Sequence, residues 1–469
     1  MSVEYKMLIG GELVDGDQTL DVTNPATGKV FTTVARASQD QAAKAIAAAK
    51  KAQPAWAALS AAERAKYINA LADAIDANAE KLARTLTLEQ GKPLGDAQNE
   101  IAYTSIFLRY FAGMEMPVEV VQDDADLRVE VHHRPLGVVV GIAPWNFPVL
   151  IGFNKVGPAL RCGNTIVLKP APTTPVATLM VGELAAKILP PGVLNIVVDK
   201  NDLGSFLTSH KDVAKVSFTG STDTGKKVAA SVASGLKRMT LELGGNDAGV
   251  VLDDVDVKKT ARGVMDSAFM NAGQVCIALK RLYVPAKIYD EMCDELAAIA
   301  KDTTVGDGLQ QGTKIGPVQN AQQFEKAKGY LAAAKRDGKV IAGGEVGEGD
   351  GYFIQPTIVR DISDGSVLVD EEQFAPILPV IKYDDVEDVI GRANNSNYGL
   401  GGSVWSSSID RAYEYAQRID SGTVWINHHT HFAPHIPFGG SKESGIGVEF
   451  SAYGLAEFAQ KSVISINKR

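Results

Sequence analysis

The chain has few cysteines, and their spacing excludes several classes of protein. Its 469 residues include three cysteines, Cys162, Cys276 and Cys293, an odd and widely spaced set. This arrangement argues against a disulfide framework and against a zinc site built from CxxC pairs, and it fits a reducing cytoplasm. Cys162 and Cys293 are expected to be small buried hydrophobes, whereas Cys276, taken alone, could be a buried hydrophobe, a metal ligand or a nucleophile.

The chain also lacks basic tracts and long apolar runs. Its net charge is −9, so we expect no nucleic-acid partner. The longest uncharged run, GVVVGIAPWNFPVLIGF, is interrupted by Pro144, Asn146 and Pro148, so we expect no membrane span. The stretch MSVEYKMLIGGELVDG has no apolar signal core, so we expect no secretory peptide and a cytoplasmic location.

What is present is an alternation of strand-like and helix-like segments. With 45% hydrophobic residues and this length, the chain is predicted to form two or three globular domains. Continuous apolar runs at 137–142, 164–170, 193–198, 215–220 and 238–245 predict buried parallel strands, with helices at 175–189 and 222–234 between them. Residues 38–90 predict two helices, and residues 127–142 a strand, a turn at Pro135 and a second strand. Ligands of such sheets bind beyond the carboxyl ends of the strands.

Two stretches at predicted strand ends carry chemistry that has more than one explanation. In APWNFP (143–148), two prolines hold Asn146, whose amide could donate to a developing oxyanion or simply belong to a rigid turn. In FTGSTDTG (218–225), Gly220, Ser221 and Gly225 suit a helix start that binds phosphate, although the pattern is not GxGxxG and a plain helix start fits as well.

Two further stretches supply a carboxylate and a thiol. LELGGND (241–247) places Glu242 at the end of an apolar strand, where burial would raise its pKa and suit a general base. A salt-bridged glutamate at a domain boundary is the alternative. NAGQVC (271–276) places Cys276 after a glycine-containing turn whose backbone amides could face a thiolate or an oxyanion.

Taken together and in this order, the four stretches resemble the aldehyde dehydrogenase superfamily. The resemblance runs from NPATG (24–28) through DEEQFAPILP (370–379) to PFGGSKESGIG (437–447). It implies an α/β protein with a Rossmann-like cofactor domain at 1–118 and 137–245, a catalytic α/β domain at 246–448, and a small β bridging element at 119–136 and 449–469. It also implies a homodimer or homotetramer, because the bridging strands of this superfamily pair between subunits.

The resemblance assigns roles to particular residues. Cys276 matches the nucleophile, Glu242 the general base, Asn146 and the Cys276 backbone N–H the oxyanion hole, and Lys155 a lysine near the proton relay. NAD is the implied cofactor, with NADP also accepted. The positions that match cofactor-binding sites are Ile142, Trp145, Lys169, Pro172, Gly220, Ser221, Gly225, Leu243, Glu372 and Phe374.

Two departures from the superfamily pattern bear on cofactor choice and packing. Pro172 stands where a glutamate often binds the adenosine ribose, so discrimination against NADP should be weak. Ala375 stands where glycine is common, and we expect a mild packing change there.

The predicted substrate is a small aldehyde with an aromatic or medium-length aliphatic tail. The expected pocket is mainly apolar and contains no arginine to bind a second carboxylate; its residues are Phe147, Asn154, Met270, Val275, Ile277 and Phe432. Four of the seven histidines cluster at 428–435, with His429 and His431 expected on one face of a strand at the substrate entrance. No metal site is expected, since no cysteine or carboxylate is nearby in the sequence.

Two other functions remain open at this stage. A CoA-acylating dehydrogenase of the same fold would pass the thioester to a thiol, but Glu242 argues against it because a thiol acceptor needs no water-activating base. A non-catalytic protein on this scaffold is the second alternative, and the joint presence of Cys276, Asn146 and Glu242 argues against it.

Overall fold

The structure, a computed structural model, describes residues 3–469. Its strands, in chain order, are β1 (Met7–Ile9), β2 (Glu12–Val14), β3 (Gln18–Asn24), β4 (Lys29–Arg36), β5 (Glu119–Asp123), β6 (Leu127–Pro135), β7 (Val138–Ile142), β8 (Thr165–Lys169), β9 (Leu194–Ile196), β10 (Val213–Thr219), β11 (Arg238–Glu242), β12 (Asp247–Val251), β13 (Leu279–Pro285), β14 (Lys339–Ala342), β15 (Thr357–Ile362), β16 (Ile377–Tyr383), β17 (Tyr398–Gly399), β18 (Gly401–Trp405), β19 (Thr423–Ile426), β20 (Ser441–Lys442), β21 (Gly445–Ile446) and β22 (Ala459–Asn467).

The helices cover the sheets formed by these strands. In chain order they are α1 (Gln39–Ala58), α2 (Ala61–Ala77), α3 (Ala79–Gln90), α4 (Leu94–Gly113), α5 (Pro148–Arg161), α6 (Val176–Ala186), α7 (Gly204–Ser209), α8 (Thr222–Ala233), α9 (Val257–Phe269), α10 (Tyr289–Asp302), α11 (Ala321–Asp337), α12 (Val367–Asp370), α13 (Val386–Asn394), α14 (Ile409–Ala416) and α15 (Ser451–Ala456). Short 3-10 turns lie at Met270–Gly273 and Ala286–Ile288.

The first sheet has a Rossmann-like strand order. It runs β2-β1-β9-β8-β7-β10-β11-β21, and the five strands from β9 to β11 are mutually parallel. Every residue of β7 and β8 is buried, as expected for strands covered by helices on both faces. The strand order reverses between β7 and β10, and this is where such sheets open a ligand crevice at their carboxyl ends.

The second sheet is also mainly parallel, in the order β14-β15-β16-β13-β12-β18-β19 with β14 antiparallel. Residues 243–246 connect the carboxyl end of β11 in the first sheet directly to the amino end of β12 in the second. The two sheets therefore meet around this short connection. The α/β class and the parallel sheets predicted from the sequence are confirmed.

A third sheet, β22-β6-β5, is antiparallel and carries exposed apolar side chains on its outer strands. Val121 and Val463 are 60% and 64% exposed. The predicted pairing of these strands between subunits and the predicted domain boundaries stay predictions. Among residues 3–469, no helix combines the length and the hydropathy needed to span a bilayer.

The prediction of two helices in residues 38–90 is wrong, because three helices form there. Ser60 and Glu63 close a capping box that starts α2, and Asn78 ends α2 and begins α3. These polar residues supply local hydrogen bonds that compete with a continuous helix. A fourth helix, α4, was not predicted, and its buried face packs on α2 and α5.

Candidate active site

A cavity of about 390 Å³ lies where the two main sheets meet. Cys276 and Glu242 both line it, and so do all six residues predicted for the substrate pocket: Phe147, Asn154, Met270, Val275, Ile277 and Phe432. The lining also includes His431, which was expected at the substrate entrance, and residues that sequence reasoning missed, among them Lys92, Asp96, Glu100, Tyr103 and Glu449.

The loop that presents Cys276 has an unusual backbone. After α9 ends, Asn271, Ala272 and Gly273 take positive φ values of 49°, 57° and 70°. A Cβ on Gly273 would lie 2.4 Å from the carbonyl oxygen of Ala375, so only glycine fits. Such strain in non-glycine residues persists where the surroundings hold the loop in place.

Gln274 provides much of that restraint. Its side chain donates to the Asn271 carbonyl oxygen at 2.9 Å and accepts from the Gln319 backbone N–H at 2.9 Å. Gln274 is fully buried, so these hydrogen bonds are shielded from water. The loop is therefore a rigid support for the thiol two residues later.

Cys276 differs from the other two cysteines because it is partly exposed and faces the cavity, whereas Cys162 and Cys293 are buried. Burial of the sulfur raises the pKa of the Cys276 thiol to about 12, and Lys280 acts in the opposite direction. Within residues 3–469, the Cys276 backbone N–H donates no hydrogen bond, which leaves it available to an oxygen on a bound molecule.

Asn146 lies beside this loop, at the turn between β7 and α5. Its side-chain Nδ2 donates to the Gln274 carbonyl oxygen at 2.9 Å, which uses one of its two N–H groups. The backbone carbonyl oxygen of Asn146 accepts from Lys92 Nζ at 2.8 Å. Lys92 in turn forms a fully buried salt bridge with Glu100, which also accepts from backbone N–H groups at the start of α5.

Glu242 ends β11 with its side chain in the cavity wall. It is 3% exposed, and neither carboxyl oxygen has a hydrogen-bond partner among the described residues. Burial, followed by the nearby Glu449 carboxylate, raises the pKa of Glu242 well above its usual value. A carboxyl group whose pKa is raised in this way suits a general base.

Lys155 connects to Glu449, a residue that sequence reasoning did not find. Lys155 Nζ lies 2.7 Å from Glu449 Oε1 and 2.7 Å from the Thr219 hydroxyl, and it also donates to Ser217 at 3.2 Å. Glu449 is 294 positions away in the chain, so no local signal could have paired the two. This network lies next to Glu242.

Most of the predicted cofactor residues lie along the carboxyl edge of the first sheet, whereas Glu372 and Phe374 lie between α12 and β16. Ile142 is paired in register with Lys169 on one side and Phe218 on the other, and Glu242 is paired with Thr219. Gly220 follows β10 directly. This edge contains the point where the strand order reverses.

At the start of α8, after the β10–α8 turn, the side chain of Leu243 lies close to the backbone of Gly225. Ser221 caps α8 by accepting from the Thr224 N–H. A Cβ on Gly225 would lie 2.4 Å from Leu243 Cδ2, so Leu243 packs on the first turn of α8 only because position 225 is glycine. Because α8 begins three residues after β10 ends, its N-terminus lies at the carboxyl edge of the first sheet.

Trp145 and Phe374 face each other across that crevice. Their rings meet edge to face with centroids 5.3 Å apart, and both are partly exposed. Glu372, two residues earlier, accepts from the Gly245 N–H at 3.1 Å through Oε1. No donor among residues 3–469 contacts its Oε2, which leaves an acceptor of the kind that a ribose hydroxyl requires.

The charge of Lys169, which the resemblance assigns to cofactor binding, is paired within the protein. Its Nζ lies 2.6 Å from Asp199 Oδ1, and both side chains are almost fully buried. Asp199 also accepts from the Leu203 N–H through Oδ2. Pro172, three residues after Lys169, is half-buried at the same edge of the sheet. The sequence analysis missed Asp199 because nothing local links it to Lys169.

The expectation that His429 and His431 share one face of a strand is wrong. β19 ends at Ile426, and positive φ values at Asn427 and Thr430 turn the chain into a loop. His429 is buried, with its ring nitrogens 2.9 Å from Ser403 Oγ and 3.3 Å from Asp247 Oδ2. His431 lines the cavity. Across residues 3–469, no three potential metal-ligating side chains cluster together.

Comparisons with known proteins agree with this geometry. Residues 13–464 match the model of the aldehyde dehydrogenase family. The chain belongs to the aldehyde dehydrogenase family. It is therefore an NAD(P)-dependent oxidoreductase that acts on aldehydes.

Relatives and solved structures match over nearly the full chain. The NADP(+) succinate-semialdehyde dehydrogenase GabD of Escherichia coli (strain K12) is 38% identical, with 97% of this chain and 96% of that protein covered. The glutarate-semialdehyde dehydrogenase of Pseudomonas putida KT2440 is 37% identical, with 98% and 97% covered. The NAD+ complex of the Bacillus cereus aldehyde dehydrogenase superposes with a TM-score of 0.97 at 37% identity, covering 99% of this chain and 97% of that chain.

Proposed function

We propose that this aldehyde dehydrogenase oxidises its substrate to the carboxylic acid through a covalent thioester on Cys276, which water then hydrolyses. The observation that carries the proposal is one cavity lined by a thiol on a rigid loop and by a buried carboxyl group that has no hydrogen-bond partner among residues 3–469. The Asn146 amide is held on the Gln274 carbonyl oxygen of the same loop, and the Cys276 backbone N–H donates to no other described residue.

In the first step, the Cys276 thiolate adds to the aldehyde carbon and forms a thiohemiacetal. The carbonyl oxygen becomes an oxyanion, which the free N–H of the Asn146 amide and the Cys276 backbone N–H stabilise. Both donors are held before substrate binds, Asn146 by Gln274 and the Lys92 contact, and the loop by its buried hydrogen bonds. Collapse of the oxyanion breaks the C–H bond of the former aldehyde carbon and leaves a thioester on Cys276, and bound NAD(P)+ would supply the acceptor for the hydride.

In the second step, Glu242 takes a proton from water, and the resulting hydroxide attacks the thioester carbon. The C–S bond breaks, the acid leaves, and Cys276 returns to the thiolate. Lys155, Thr219 and Glu449 form a fixed polar network through which the proton can pass away from Glu242. Lys155 is thus proposed as a member of the proton relay, and not only as a lysine near it.

The cofactor fits the carboxyl edge of the first sheet. Glu372 would accept from a nicotinamide ribose hydroxyl, Trp145 and Phe374 would together form an aromatic surface beside the nicotinamide, and the N-terminus of α8 at Ser221 would face the pyrophosphate. The Lys169–Asp199 ion pair changes the expectation for NADP, because the lysine charge is already offset by a buried carboxylate. We propose that NAD is preferred and that NADP is used less well.

The charges around the cavity bear on the substrate. The described lining contains four carboxylates, Asp96, Glu100, Glu242 and Glu449, one lysine that is paired with Glu100, and no arginine. Glu100 is paired with Lys92 and Glu449 with Lys155, so a second carboxylate on the substrate would find no unpaired cation in this lining and would face the carboxyl groups of Asp96 and Glu242. We propose an aldehyde without a second carboxylate, even though the relatives named above act on semialdehydes.

The length of the substrate tail is a separate matter. The names of those relatives favour a short aliphatic chain over the aromatic or medium-length tail predicted from the sequence. The aromatic side chains Phe147 and Phe432 suit either kind of apolar tail. Asn154, which is 4% exposed, lines the cavity with an Oδ1 that lacks a partner, so a hydroxyl on the tail would gain a hydrogen bond.

The proposal is tested by separating the two half-reactions. Cys276→Ala should abolish aldehyde oxidation, whereas the matched control Cys293→Ala, which removes a buried thiol far from the cavity, should not. Glu242→Gln should retain a stoichiometric burst of reduced cofactor and then turn over very slowly. Turnover by Cys276→Ala with every aldehyde tried would exclude covalent catalysis at this residue.

The same assays address the CoA-acylating alternative and the substrate. Adding CoA to the wild type should leave the steady-state rate unchanged, since Glu242 already activates water. A panel of propanal, hexanal, benzaldehyde and succinate semialdehyde, ranked by kcat/KM, should place succinate semialdehyde last. A panel led by succinate semialdehyde would overturn the charge argument.

A further inference from the structure

Lys280 is a buried lysine with no role in the steps above. It lies in β13, four residues after Cys276, and is 2% exposed. Its Nζ donates to the carbonyl oxygen of Val275 at 2.5 Å, and it forms no salt bridge within the described part of the chain. Burying an ammonium group without a charged partner costs folding free energy. A functional role for Lys280 would explain why a lysine occupies this position.

Lys280 also joins the nucleophile loop to the loop that carries Glu372 and Phe374. Its Nζ lies 5.4 Å from the centroid of the Phe374 ring, a cation–π distance. Its backbone carbonyl accepts from Gln373 Nε2 at 3.2 Å. The ammonium is thus held between two loops, with one hydrogen bond to the residue that precedes Cys276.

The charged groups around the thiol come from several elements. Glu372 follows α12, Asp247 begins β12, and Glu242 ends β11; all three raise the pKa of the Cys276 thiol, in addition to its burial. Lys280 is the cation that opposes them. Burial lowers the pKa of Lys280, whereas Glu372, Asp247 and the thiolate of Cys276 favour its charged form.

We infer that Lys280 is a positioning residue whose ammonium group, held on the Val275 carbonyl, stabilises the thiolate of Cys276 before the aldehyde is attacked. This inference rests on the proposed function, in which Cys276 is the nucleophile. The contact with Phe374 places the same cation beside the predicted nicotinamide site.

The test is alkylation of Cys276 in the full-length protein, followed by peptide mass spectrometry to assign the modified cysteine. The thiol proton goes to solvent, the thiolate sulfur bonds to the methylene carbon of iodoacetamide or iodoacetate, and iodide leaves. The variants are Lys280→Met, which keeps the length of the side chain without its charge, and Lys280→Arg, which keeps the charge. Lys215→Met is the matched control, since Lys215 is also buried but contacts Thr240 and Phe458 instead.

We expect Lys280→Met to slow alkylation by iodoacetamide at neutral pH by about tenfold or more, because one nearby charge shifts a pKa by about 1–3 units. The loss should be larger for iodoacetate, because the anionic reagent also loses its attraction to the cation. Lys280→Arg should recover most of the rate, and Lys215→Met should match the wild type.

Unchanged rates in Lys280→Met would overturn the inference. An equal loss for both reagents, without recovery in Lys280→Arg, would assign Lys280 a packing role only and would overturn it as well. Thermal unfolding of each variant identifies any that fail to fold, and Lys280→Gln then replaces Lys280→Met. Failure of the proposed function is read separately, from the turnover of Cys276→Ala.

Discussion

The buried pair of Lys92 and Glu100 should be essential to both stability and turnover. Lys92 Nζ lies 2.6 Å from Glu100 Oε2, and both side chains are inaccessible to solvent. Glu100 Oε1 accepts from the backbone N–H groups of Val149 and Leu150, and Lys92 holds the Asn146 carbonyl oxygen. The pair therefore connects α4 to the turn that carries the predicted oxyanion donor.

Lys92→Met would leave the Glu100 carboxylate buried with no cation. Removal of one partner of a buried ion pair costs about 3–5 kcal/mol, because the remaining charge is uncompensated. In the double variant Lys92→Met, Glu100→Gln, the amide oxygen can still accept from α5 and no charge is stranded. We therefore expect the double variant to be more stable than Lys92→Met alone, with a loss of about 1–2 kcal/mol.

The assay is urea unfolding of the wild type, both single variants and the double variant, with the slope checked for constancy. An exposed pair, Lys187 and Glu183, serves as the control: Lys187→Met should cost about 0.5 kcal/mol or less. Lys92→Met should also lower kcat by up to about 10²-fold through displacement of Asn146. If the double variant loses at least the sum of the two single losses, the ion-pair reasoning is refuted.

Three further predictions concern the cofactor, the substrate and pH. Asp199→Asn should free the Lys169 charge and raise the ratio of kcat/KM with NADP to kcat/KM with NAD. Pro172→Glu should lower this ratio, because the new carboxylate repels the 2′-phosphate of NADP. Each change should be about ten- to a hundredfold. Asn154→Arg should improve kcat/KM for succinate semialdehyde by adding a cation to an acidic cavity, and a further loss would contradict that view of the lining. Glu242 acts as a base only when it is ionised, and burial raises its pKa. Steady-state turnover should therefore fall as the pH is lowered through that pKa, while the burst of reduced cofactor persists. Parallel loss of turnover and burst would place Glu242 in an earlier step.

Local patterns in the sequence were sufficient to predict the parallel sheet and the position of its reactive edge. The apolar runs that became β7, β8, β10 and β11 are buried because helices cover both faces, and burial on both faces selects continuous apolar residues. Parallel strands bring their carboxyl ends to one edge of a sheet, so the sequence pattern alone places Glu242 and the turn that follows β7 at the same edge. Helical periodicity predicted too few helices in residues 38–90, because Ser60 begins a new helix there and Asn78 separates that helix from the next.

The state of each reactive group was decided only by tertiary contacts. Lys155 and Glu449 are 294 positions apart, and Lys169 meets Asp199 from the segment that follows β9, so neither pairing leaves a local trace in the sequence. Hydrogen bonds and ion pairs depend on angstrom-scale distances between side chains that only the folded core brings together, and desolvation depends on everything packed around a group. The sequence by itself determined which residues could react, whereas the packing of the two sheets decided which of them are charged, paired or left without a partner.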